Sequence, residues 1–179
     1  MSEDEPQYET REVYEQRRQA VAAAILAATD HFNMAGFVMG DDLPGADPMC
    51  GTTLCIAGWA AMHAPGVSLV RADDGASWLH RGDVPVDIEG TAGEWLGLSV
   101  LDADALFYGD FADATVLGLR ALAEITPEEA VAALMAAPYV CDPTPDDGLG
   151  LRHLLTEMCK TEAPDEISAD QAVEIGQTA

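Results

Sequence analysis

The chain has 179 residues, 49% of them apolar, and its 32 acidic side chains outnumber eight basic ones, for a formal net charge of −24. That is enough apolar material for one compact domain with a hydrophobic core. A charge so negative argues against direct contact with nucleic-acid phosphates or an anionic lipid surface.

The acid excess is distributed along the chain, with a net −3 over residues 1–18, −11 over 19–120 and −10 over 121–179. Seven of the basic residues are arginine and only Lys160 is lysine. Such a surface attracts basic partners or cations; a halophilic or high-GC proteome would produce the same composition without any partner. Met1 to Glu15 has neither the basic stretch nor the apolar run of a secretory signal. The longest apolar stretch, Ala20 to Thr29, is far short of the ~20 residues that span a bilayer. A cytoplasmic protein without membrane contact is expected, with Cys50, Cys55, Cys141 and Cys159 reduced.

In chain order, residues 1–8 are expected to be disordered. A first helix is predicted from about Glu9 to Phe32, because Tyr14, Val21, Ile25, Ala28 and Phe32 form one apolar stripe. Gly36, Gly40, Pro44, Gly45 and Pro48 then make a long loop. A second helix is predicted over about Thr53 to Met62; it is apolar nearly all round and therefore buried, and Pro65-Gly66 ends it. Ser68-Leu69-Val70 and Ser77-Trp78-Leu79 flank Asp73-Asp74-Gly75, a hairpin-type signal.

Beyond the hairpin, Asp87 is a candidate cap for a helix to about Leu96, and Ser99 with Asp102 for one ending near Tyr108. Thr126-Pro127-Glu128-Glu129 is a strong helix start. Cys141 to Asp147 is a loop, Gly150 to Lys160 another helix, and residues 161–179 a mobile acidic tail. The expected fold is all-α or nearly so: a compact multi-helix single domain over 9–160 with at most one short β-hairpin near 67–79.

The segment from Cys50 to Trp59, CGTTLCIAGW, places two thiols about the first turn of the buried helix. Free N–H groups and the helix dipole there stabilise a thiolate, so Cys50 or Cys55 is a candidate nucleophile, with His63 or His153 as its base. The structural reading of the same residues is that small Cys, Gly and Ala let this helix pack closely, and it is preferred. Cys50, Cys55 and His63 are also a conceivable zinc set, although paired C-x2-C spacing is absent. No cofactor is expected.

The same segment, preceded by His31-Phe32-Asn33-Met34 and followed by Leu96-Gly97-Leu98-Ser99 and Leu106-Phe107, resembles a group of small uncharacterised bacterial and phage-borne proteins. The resemblance covers about residues 24–107. It implies kinship and a mobile-element context, and it transfers no activity and no catalytic residue.

Residues 92–106 have the spacing of a helix-turn-helix, with Gly97 and Leu98 in the turn. The would-be recognition helix carries Asp102 and Asp104 and no cation, so phosphate would repel it and an αα-hairpin used for packing is expected. The sequence therefore favours a non-enzymatic acidic interaction protein that binds a basic protein surface or segment, one form of which is mimicry of nucleic-acid charge. The alternative is a cysteine-dependent enzyme using Cys50 or Cys55. Oligomeric state is not readable.

Overall fold

The computed structural model describes residues 8–34, 36, 38–40, 52–71, 76–108, 124–142 and 149–160. The expected all-α fold is wrong: the chain is a mixed α and β protein. In chain order it runs α1 (Arg11–Ala27), β1 (Val38–Gly40), β2 (Thr52–Leu54), α2 (Ile56–His63), β3 (Val67–Arg71), β4 (Ser77–Arg81) and β5 (Val84–Pro85). It continues through α3 (Ile88–Leu96), α4 (Val100–Tyr108), α5 (Pro127–Ala136) and α6 (Leu149–Cys159).

Two antiparallel pieces replace the single short hairpin. In one, β1 pairs with β2, Val38 opposite Leu54 and Gly40 opposite Thr52. In the other, β4 lies between β3 and β5, with Val70 opposite Trp78 and Arg81 opposite both Val67 and Val84. Thr52 and Thr53, expected at or just before a helix start, are strand residues instead, as their branched Cβ atoms favour. The helix after them begins only at Ile56, with Cys55 as its N-cap.

The predicted first helix ends at Ala27, and a 3₁₀ turn over Thr29–His31 takes the chain to Phe32, which bridges to Leu54. Local cap chemistry sets the later helix starts. The Asp87 carboxylate accepts from Gly90 N–H, and Thr126 with Glu129 forms a full capping box, each bonding the other's backbone N–H. Ser99 Oγ accepts from Asp102 N–H at 3.1 Å and donates to its carboxylate at 2.5 Å. The expected disordered 1–8 and mobile 161–179 segments lie, except for Tyr8, outside the described residues.

Helix α2 is the centre of the core. Ile56, Ala57, Gly58, Trp59, Ala60 and Ala61 are all buried, and α2 packs on α3, α1 and the strands that follow it. Its small side chains let the neighbouring backbones approach, while Ile25, Leu54, Ile56, Leu96, Leu106 and Leu134 fill the space around them. Helices α5 and α6 close the core from the other side, α5 against α1 and α6 against α4. Among the described residues no helix is long and apolar enough to cross a membrane.

Candidate functional site

The start of α2 carries the chemistry the sequence pointed to. Cys55 is 1% exposed and sits among core residues. Burial pushes its thiol up to about 11, overriding the backbone N–H groups of Ala57 and Gly58 that favour the thiolate. A helix start lowers a thiol pKa only where water or a cation accompanies it; in an apolar core the desolvation of the anion wins. Cys55 is therefore a protonated thiol at neutral pH, and it packs as a small hydrophobe.

The two candidate histidines are not hydrogen-bonded to it. His63 is at the far end of α2, where its Nδ1 lies 2.8 Å from the Trp59 carbonyl of the preceding turn. His153 is exposed on α6. Cys50 lies outside the described residues. No group of three or more His, Cys, Asp or Glu able to hold a metal ion occurs among the described residues; of the zinc set, Cys55 and His63 stand at opposite ends of α2.

The polar cluster that does organise the interior is one the sequence reading passed over. Arg18 is 0% exposed. Its Nε donates to Leu96 O at 2.9 Å, and Nη2 donates to Pro138 O at 2.8 Å and Gly97 O at 3.4 Å. Nη1 donates to the Ala137 carbonyl and to Leu134 O at 3.3 Å. These oxygens belong to the C-terminal ends of α3 and α5 and to the residues just beyond, where helical carbonyls lack partners of their own and the dipole is negative. The guanidinium also lies 3.8 Å over the Tyr139 ring.

One planar cation thus caps two helices at once. Desolvation pushes it down to about 10, and it remains charged at neutral pH. A signal existed: the stripe Tyr14, Val21, Ile25 skips one position between its first two members, and Arg18 fills it. Gly97 completes the junction. It closes α3 with φ +64, and a Cβ there would lie 2.4 Å from the Tyr14 ring, so only glycine fits.

The next arginine builds the wall of a cleft. Arg17 lies 4.0 Å over the Trp95 ring and 5.6 Å over Tyr14, and it pairs with Glu9 at 3.2 Å. The cleft has a volume of about 440 Å³ and lies beside Tyr8, Tyr14, Arg17, Arg81, Glu94 and Trp95. These come from the start of α1, the end of β4 and α3, and no sequence spacing announces their meeting.

Three further cations are paired with carboxylates. Arg11 pairs with Asp142 at 3.1 Å, Arg152 with Asp104 at 2.9 Å, and Lys160 with Glu157. The described residues hold 15 acidic and seven basic side chains, a net −8, and the remaining segments hold 17 and one, a net −16. Comparison of the chain with family models, curated proteins and solved structures returns no match.

Proposed function

We propose that the protein is a non-enzymatic binding protein whose carboxylates meet a basic protein surface or segment. The observation that carries this reading is the internal engagement of five of the seven cations among the described residues. Arg18 is buried against carbonyls, and Arg11, Arg17, Arg152 and Lys160 are each paired with a carboxylate of the chain itself. Far more carboxylates than cations remain, and their field favours a partner of opposite sign. The protonated, buried Cys55 supports a structural role for the start of α2 over a nucleophilic one.

The test is affinity capture from the source cell. A stoichiometric partner of basic composition should be retained at about 0.1 M sodium chloride and released at about 1 M, where the screening length falls from ~10 Å to ~3 Å. Over the same range the unfolding temperature of the isolated protein should rise, because salt relieves repulsion among its carboxylates. A retained set with no enrichment in basic proteins, or a partner held equally at both salt concentrations, refutes the reading.

A further inference from the structure

The charges lining the cleft are balanced, which sets it apart from a chain of net −24. Arg17 is already neutralised by Glu9 and covered by the Trp95 ring, so it serves as wall. Two opposite charges are left. Arg81, at the end of β4, and Glu94, on α3, are both exposed, and both line the cleft. Neither has an ion-pair partner among the described residues, and they are not paired with each other. Much of the remaining lining is apolar and aromatic, with Tyr14, Trp95, Leu98 and Val140 contributing.

A volume of about 440 Å³ falls within the range of small-molecule sites. The surrounding field then selects among ligands. A net anion is repelled by the body of the protein, and a net cation finds Arg81 set against it. A zwitterion escapes both penalties. Its carboxylate meets Arg81, its ammonium meets Glu94, and an apolar substituent lies on the ring-lined wall. Charge-assisted hydrogen bonds to both charged groups fix its orientation.

We infer that this cleft binds a free α-amino acid with an apolar or aromatic side chain, held between Arg81 and Glu94. This goes beyond the binding of a basic protein and does not depend on it, because the probes are small molecules and no partner is present.

The experiment is calorimetric titration of the full chain with leucine and phenylalanine, alongside N-acetyl-leucine, which lacks the ammonium, and leucinamide, which lacks the carboxylate. The zwitterions should bind most tightly. Arg81→Gln and Glu94→Gln should each weaken leucine about tenfold or more, the scale of one charge-assisted hydrogen bond. Arg81→Gln should leave leucinamide binding unreduced, and Glu94→Gln should leave N-acetyl-leucine binding unreduced. Both side chains are exposed, and an unchanged unfolding temperature verifies that the variants fold. No binding of either amino acid at about 10 mM, where even a millimolar site would fill, overturns the inference. So does equal binding by the parent chain and both variants.

Discussion

Two regions of this molecule where helices end present the same kind of electrostatic opportunity and put it to opposite use. At the N-terminus of α2 the free N–H groups could hold an anion, yet the residue there is a buried, protonated thiol. At the C-termini of α3 and α5 the free carbonyls could be left to water, yet a fully buried guanidinium gathers them. The difference lies in what each group can exchange for its hydration. A thiolate in an apolar core has only a few backbone donors, and it gains less by ionising than it loses in desolvation. A guanidinium has five donors in a rigid fork, and the junction offers five carbonyls and an aromatic face.

The strongest way to break the comparison is Arg18→Met, which keeps apolar bulk and removes every donor. Leaving the carbonyls of two helix ends buried without their cap should cost about 3–5 kcal/mol. The unfolding temperature should fall by roughly 10 °C. Arg18→Lys should recover only part of this, because one ammonium cannot span the fork. Arg11→Ala, which removes an exposed pair with Asp142, should cost at most about 1 kcal/mol. Thermal melts of the four proteins check the order; equal losses at positions 18 and 11 would remove Arg18 from its role.

Gly97→Ala attacks the same junction sterically. Its Cβ would meet the Tyr14 ring at 2.4 Å on a backbone of positive φ, and a loss of about 2–3 kcal/mol in urea unfolding is expected.

Cys55 should show the smaller effect and sharpens the contrast through pH. Cys55→Ser puts a hydroxyl in the core and should cost about 1–3 kcal/mol. In the native protein the thiol keeps its proton up to about pH 11, whereas in the unfolded chain it loses it near 9.0. The folded state therefore binds more protons between these values, and stability falls with rising pH. The contribution, up to about 2–3 kcal/mol, is complete below pH 9 and lost as pH rises through 11. Urea unfolding of the parent chain and Cys55→Ala across this window should show a steeper decline for the parent. Parallel curves, or rapid labelling of native Cys55 by thiol probes, would place the sulfur in water.

What could be read from the sequence was what is decided within a few residues. The caps at Asp87 and Thr126 and the β3–β4 hairpin were visible because their partners lie three residues away or across one turn. The β1–β2 pair was not, because three-residue strands carry almost no periodicity and eleven residues rich in turn formers separate Gly40 from Thr52. Arg18 left only the gap in the α1 stripe as a signal: its partners are main-chain carbonyls, which every residue possesses, so no side-chain type marks them. The cleft was hidden as well, since Arg81 and Glu94 come to line one cleft only after the sheet and α3 have formed.

The reach of Arg18 along the chain has a consequence during synthesis. Its acceptors lie between 78 and 120 residues downstream. At ribosomal rates of about 5–20 residues per second, roughly 6–24 s separate the appearance of α1 from that of its last acceptor, Pro138. Until then the guanidinium in the middle of the α1 stripe lacks its full set of acceptors and stays hydrated and charged. The residue that later locks the interior first sets a charge within the apolar stripe of a nascent helix, and its burial completes the junction only once Pro138 has been made.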